Sequence, residues 1–149
     1  MKTIARNRKA FHDYEVLEKI ETGVELRGTE VKSIRAGKVN LKDSYAVRIK
    51  GELFLNHMHI SPFEKGNIHN HDPYRTRKLL LHRKEILRLG MEIEKKHLTL
   101  IPLSVYFKKQ WVKLELGLCR GRKKYDKRQK IAADESKKRL AKIMKYSRR

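Results

Sequence analysis

Cysteine is almost missing from this 149-residue sequence. Cys119 stands alone, which excludes an internal disulfide framework and any paired-cysteine zinc knuckle, fits a reducing compartment, and reads as a buried strand residue. Long apolar runs are missing as well. The longest purely aliphatic stretch is Leu79-Leu80-Leu81, far short of the roughly 18 residues that a membrane span requires. The basic opening Met1 to Lys9 leads into no apolar segment, so no secretory leader is expected and the location expected is cytoplasmic. Acidic side chains are scarce beside basic ones, 17 against 38, and the net charge of +21 calls for a polyanionic partner. What is present is 39% apolar residues, enough for a core, under a surface crowded with charge. The length suits one domain with an appendage rather than two domains.

The charge is unevenly placed. Residues 120–149 carry 14 basic and 3 acidic side chains, a net +11, while the preceding 119 residues carry +10. The shift falls at Arg120-Gly121 and divides the chain into a folded body, residues 1–119, and a basic tail, residues 120–149. From Lys127 to Tyr146 the tail has no Gly or Pro, and Asp134/Lys138 and Glu135/Arg139 are i,i+4 pairs of the helix-favouring orientation. Its apolar face, Ile131, Leu140, Ile143 and Met144, is too thin to bury. A tail disordered alone and helical on a partner is expected.

The body patterns mostly as strands. Tyr14 to Ile20 and Val24 to Arg27 flank Thr22-Gly23, a turn or a bulge in a long bent strand or hairpin. Ser44 to Ile49 and Leu53 to Ile60 form a hairpin about Lys50-Gly51-Glu52. Val105 to Phe107 and Trp111 to Cys119 form another, with Leu98 to Leu103 leading in across Pro102, a mark of an edge or bulge. Two helices are expected: Thr29 to Ala36, capped by Thr29, and His82 to Lys96, with Ile86, Leu89 and Ile93 on one stripe and Arg88/Glu92 and Glu92/Lys96 as ion pairs. Short antiparallel strands with packed helices imply a mainly β protein, a small Greek-key barrel of the oligonucleotide-binding kind with two packed helices and the basic C-terminal tail.

Catalytic and metal patterns are weak. Gly23 and Gly28 have phosphate-loop spacing, but Thr29-Glu30 stands where Lys-Ser/Thr is needed. His57/His59 and His69/His71 lack the supporting ligands of a metal site, so no metal and no cofactor is expected. Glu30-Val31-Lys32 is a Glu-x-Lys tripeptide that, with Asp13 or Glu25, resembles a Mg²⁺ nuclease centre. Its helical period argues instead for an ordinary surface Glu and Lys, and no enzyme is expected.

Nucleic-acid binding is the stronger signal. From Trp111 to Leu118 a period of two turns Val112, Leu114, Leu116 and Leu118 inward and leaves Trp111 and Lys113 on the other face. An aromatic ring stacks on bases and an ammonium meets phosphates. Trp111 has a second reading, as a cover for the His82 to Lys96 helix.

Several blocks resemble the SsrA-binding protein family, also called small protein B: Ala5 to Ala10, Tyr14 to Gly23, Gly28 to Gly37, Asp43-Ser44-Tyr45, and His71 to Leu81. Asp126-Lys127-Arg128 and Ile143-Met144-Lys145 extend the likeness, which runs from about Thr3 to the end. The resemblance implies a bacterial RNA-binding adaptor of trans-translation. Such an adaptor binds the tRNA-like domain of transfer-messenger RNA and delivers it to stalled ribosomes for ribosome rescue and peptide tagging. It implies indirect links to elongation factor Tu and alanyl-tRNA synthetase through that RNA, no membrane, and a monomer. It places RNA contacts at Asn7, Glu21, Leu80 and Lys113, Leu80 being equally readable as core; Trp111, from the strand pattern, and Arg75 and Arg77 of the Arg75-Thr76-Arg77 loop are further candidates. In the tail it assigns Gly121, Lys123, Asp126, Lys127 and Arg128 to the small ribosomal subunit and Ile143-Met144 to the vacant messenger channel. Tyr125 sits where some members have His, either ring being able to stack on a base. Arg120 and Arg122 replace the Lys common there, and Arg and Lys are not interchangeable in detail.

Overall fold

The computed structural model describes residues 2–63 and 70–122. In chain order they form β1 (Lys2–Arg6), α1 (Arg8–Asp13), β2 (Tyr14–Val24), α2 (Gly28–Arg35), β3 (Val39–Asn40), β4 (Tyr45–Ile49), β5 (Glu52–Asn56), β6 (His59–Ile60), β7 (Arg77–Leu80), α3 (Arg83–Lys96), β8 (Thr99–Lys108) and β9 (Trp111–Gly121). Seven strands make one antiparallel sheet in the order β1-β8-β4-β5-β7-β2-β9. Because β8 also pairs with β9, six of them close into a ring, and β1 joins β8 beside β4. Closure gives each strand of the ring a partner on both sides, removing edges that would otherwise pair with other chains. The mainly β barrel expected from the sequence is the fold observed.

Inward residues of every strand meet at the centre. Ile20, Leu53, Leu55, Leu79, Leu100, Val105, Leu114 and Leu116 belong to one buried cluster, closed by Ile34 of α2 and by Ile86 and Leu89 of α3. A smaller cluster of Ala10, Ile101, Leu103 and Cys119 lies apart from it. This second cluster explains why β8 reads as a nearly unbroken apolar run: part of the strand is buried on both faces. Burial pushes the Cys119 thiol up to about 11, so it stays protonated at neutral pH.

Local chemistry departs from the sequence expectations at named points. A third helix, α1, has only Ala10 buried and so no periodic stripe to announce it; it is started by Asn7, whose side chain accepts the Ala10 N–H at 3.1 Å. Thr22-Gly23 is no turn, since β2 continues through it and the ladder slips between Val16 and Glu18 instead. The N-cap of α2 is Arg27, not Thr29: Glu30 in the first turn reaches back to accept the Arg27 N–H at 2.8 Å, while the Thr29 hydroxyl lies 2.9 Å from His71 Nδ1. Arg88 turns away from Glu92 to Glu18 and Glu85, both at 2.7 Å, and Glu92 pairs with Lys96 at 2.9 Å as expected. Pro102 lies at a bulge within β8, a strand paired on both sides rather than an edge. The β4–β5 turn is the two residues Lys50 and Gly51, both at positive φ, 51° and 77°, which matches the twist of the strands it joins.

The body does not end where the composition shifts. β9 runs to Gly121, paired with Tyr14, and the Arg122 N–H donates to Asp13 O at 3.0 Å. Strand pairing continues across Arg120-Gly121 because Glu15 and Tyr14 of β2 remain available opposite. Among the described residues no helix is long and apolar enough to cross a membrane.

Candidate nucleic-acid interface

Strand register assembles the candidate face. Leu80 of β7 pairs with Gly23 of β2, Gly23 pairs with Lys113 of β9, and Lys113 pairs with Tyr106 of β8. Directly opposed residues share a face of a sheet, so these four form one row across four strands. Two residues along β2, Glu21 pairs with Glu115 and extends the row on the same face. The neighbouring inward positions, Val105, Phe107, Val112 and Leu114, fill the core, so this row faces outward.

Gly23 gives the row a low floor. A Cβ there would stand 3.3 Å from the Leu80 Cβ, so the missing side chain lets Leu80 lie over the strand. Leu80 is 50% exposed, which settles its two readings in favour of the surface. Glu21, Gly23, Lys78, Leu80, Arg83 and Lys113 line a groove of about 540 Å³ between this row and the start of α3. An aliphatic wall, a cation and a carboxylate thus meet at one open cleft.

The carboxylate is held in place. Tyr106 donates its hydroxyl to Glu21 Oε2 at 2.5 Å, and Lys108 Nζ lies 3.3 Å from Oε1. The tyrosine hydrogen bond first, then Lys108 and the charge of Lys113, hold the Glu21 carboxyl below its usual range against the effect of partial burial. Burial and the Glu21 carboxylate raise Tyr106 above the ordinary phenol value, so it stays a donor. Trp111, 63% exposed, sits opposite Lys108 at the mouth of the β8–β9 hairpin, two residues along the strand from Lys113. Its exposure rules out a role as cover for α3.

Other expected contacts lie elsewhere. Asn7 is buried, with Nδ2 donating to Leu41 O at 3.2 Å and Pro102 O at 3.0 Å, and it fastens the start of α1 to β8. Arg77 is completely buried: it pairs with Glu30 and donates to Met58 O at 2.6 Å and Pro73 O at 3.2 Å. Arg75 keeps a quarter of its side chain exposed but commits its guanidinium to Glu30 at 2.5 Å. Both arginines are drawn under α2 because Glu30 is itself fully buried, a position where a carboxylate requires cationic partners. Glu30 is therefore not the surface residue expected. A metal-activating role is also closed to it, since both of its oxygens are occupied by guanidinium donors. Of the tail residues, Gly121 ends β9 and is exposed. Lys123, Tyr125, Asp126, Lys127, Arg128, Ile143 and Met144 lie outside the described residues.

Tyr106, Lys108 and Gly23 were missed as members of the face. The available signal was the alternation of Val105 and Phe107 about Tyr106, which turns the tyrosine outward.

A closed antiparallel barrel with leucine, tryptophan, lysine and a fixed carboxylate on one exposed strand face is a nucleic-acid-binding module of the oligonucleotide-binding kind. Residues 4–146 match the family model for SmpB protein. The chain belongs to the SmpB family. It is 54% identical over 143 residues to an SsrA-binding protein of Carboxydothermus hydrogenoformans, covering 96% of each chain. It is 60% identical over 131 residues to an SsrA-binding protein of Acetivibrio thermocellus, covering 88% of this chain and 85% of that one. Among solved structures it resembles a chain from "tmRNA-SmpB: a journey to the center of the bacterial ribosome", with TM-score 0.69 and 48% identity, covering 85% of this chain and 93% of that one.

Proposed function

We propose that this protein is an RNA-binding adaptor that holds the tRNA-like domain of transfer-messenger RNA and delivers it to stalled ribosomes for trans-translation. The observation that carries the reading is the Leu80-Gly23-Lys113-Tyr106 row with Glu21 beside it. It supplies an apolar platform, a phosphate contact and a hydrogen-bond acceptor within one groove. Family membership and the relatives named as SsrA-binding proteins support the same partner. The net charge of +21 supports a polyanion of large surface.

The adaptor works without turnover, as a monomer in the cytoplasm, and meets elongation factor Tu and alanyl-tRNA synthetase only through the RNA. Glu21, Leu80, Lys113 and Trp111 contact the RNA. The basic tail beyond Arg122 engages the small ribosomal subunit, with Tyr125 stacking on a base and Ile143-Met144 seated in the messenger channel. The test is a titration of labelled transfer-messenger RNA against excess ordinary tRNA. Selective binding with the RNA recovered intact supports the adaptor; equal binding of both RNAs refutes it, and cleavage shows an enzyme instead.

A further inference from the structure

A carboxylate on an RNA-binding face is an anomaly that needs a donor opposite it. Phosphates surround any bound RNA, and a negative side chain among them is repelled unless it accepts hydrogen bonds from the ligand. Glu21 lies in the groove with Leu80 and Lys113, yet it is kept ionised rather than neutralised by protonation. Its two oxygens are each used once, Oε2 by the Tyr106 hydroxyl and Oε1 by Lys108. A carboxylate offers about four acceptor positions, so each of its two adjacent oxygens keeps capacity for a further hydrogen bond.

Two parallel acceptors fit two parallel donors. Among the four RNA bases only guanine carries adjacent N–H donors on its Watson–Crick edge, the ring N1–H and the exocyclic amino group. That edge is accessible only in an unpaired nucleotide, and single-stranded loops are where proteins read RNA sequence. Leu80 supplies an apolar surface at the same groove for a splayed base, and Lys113 a cation for the neighbouring phosphate.

Tyr106 decides where this acceptor pair points. It belongs to β8, and β9 lies between it and β2, so its ring reaches across β9 at the Lys113 position to meet Glu21. The residue is only 4% exposed, which fixes the ring and leaves the hydroxyl a single direction. Lys108, on a flexible stem and 60% exposed, does not by itself set an orientation. We propose that Tyr106 is the positioning residue of this face, holding the Glu21 carboxylate so that it reads an unpaired guanine of the bound RNA. The inference rests on the RNA-binding role proposed above and adds the base that is read and the residue that aims the reader.

The experiment is a double-mutant cycle in the full-length protein. Wild type, Tyr106→Phe, Glu21→Gln and the double variant are titrated with the tRNA-like domain of transfer-messenger RNA. The RNA is made as a set in which each loop guanosine is singly replaced by inosine, which lacks only the amino group. Wild type loses roughly 10-fold in affinity at one inosine position. Glu21→Gln loses discrimination there, and Tyr106→Phe reduces it by roughly 5-fold or more, with the double variant no worse than Glu21→Gln. Tyr106→Phe keeps the ring, so its melting temperature serves as the fold control. A merely structural tyrosine lowers affinity for every RNA of the set equally and leaves the guanosine-to-inosine ratio unchanged, which overturns the proposal. So does a wild type indifferent to every inosine while binding the RNA selectively. A wild type with no preference for this RNA over ordinary tRNA overturns the proposed function itself.

Discussion

Leu80 lies over Gly23 across the β2–β7 pairing, close enough that a Cβ on residue 23 would come within 3.3 Å of its own. The glycine therefore sets the height at which the leucine crosses the groove. Gly23→Ala forces Leu80 outward by a few tenths of an ångström. Because Leu80 is half exposed it has room to move, and the strand gains a residue with less backbone freedom to lose, so stability changes by less than about 1 kcal/mol. RNA affinity falls several-fold. Thermal melting and RNA titration on the same variant check both halves; affinity that survives Gly23→Ala but not Leu80→Ala shows that the leucine's presence matters and its height does not.

Glu30 predicts a pH dependence that has nothing to do with RNA. Burial alone raises its pKa, but donation from Arg75, the Arg27 N–H and Arg77 outweighs burial and holds the carboxyl below its usual range. A group whose folded pKa is depressed stabilises the fold fully above its unfolded value, about 4.3, and loses that contribution as pH falls through the folded pKa. Glu30→Gln leaves Arg77 buried without a counter-charge and costs about 3–5 kcal/mol at pH 7. Urea unfolding from pH 7 to pH 3 checks it: the gap between wild type and variant stays constant down to about pH 5 and narrows below about pH 4.

The contrast between Glu30 and Lys113 shows which features a sequence exposes. Lys113 sits in a strict alternation of Val112, Leu114, Leu116 and Leu118, so its outward direction follows from its immediate neighbours. Glu30 has equally clear neighbours in Val31 and Ile34, yet it is buried because Arg77 arrives beneath it from 47 residues away. No local period encodes that pairing. The barrel was legible because strands and turns are local patterns whose closure has few solutions. The burial of Asn7 and Arg77 was not legible, because the backbone and ion-pair partners that bury both side chains come from distant parts of the chain. Tyr106 acts across an intervening strand, a relation set by register alone.

Lys113→Ala tests the groove electrostatically. The side chain points away from the core, so its loss opens no cavity and the melting temperature is unchanged. Removing one phosphate contact weakens binding and reduces the log–log salt slope by less than one unit. Trp111 supplies an independent readout, being the only tryptophan of the chain and largely exposed. Its emission shifts on addition of the tRNA-like RNA. An indole signal that stays fixed while RNA binds removes Trp111 from the interface.

The last prediction separates body from tail. A chain ending at Arg122 keeps all of β9, the Tyr14–Gly121 pairing and the Arg122 N–H to Asp13 O bond, so it melts as the full-length protein does. A chain ending at Cys119 loses the final strand pairs, Glu15 with Arg120 and Tyr14 with Gly121, and so the pairing that holds Tyr14 where it packs against the Ala10, Ile101, Leu103 and Cys119 cluster. It melts lower. The Arg122-terminated protein retains Glu21, Leu80, Tyr106 and Lys113 and binds transfer-messenger RNA selectively. Its overall affinity drops for specific and unrelated RNA alike, most at low salt, because removing many cations lowers counterion release without touching the groove. On stalled ribosomes it fails to support peptide tagging, since the ribosome contacts proposed for residues 123–149 are gone. RNA affinity and tagging measured side by side decide the matter: full tagging by the shortened chain shows the tail dispensable, and loss of selective binding shows that the body alone does not form the RNA site.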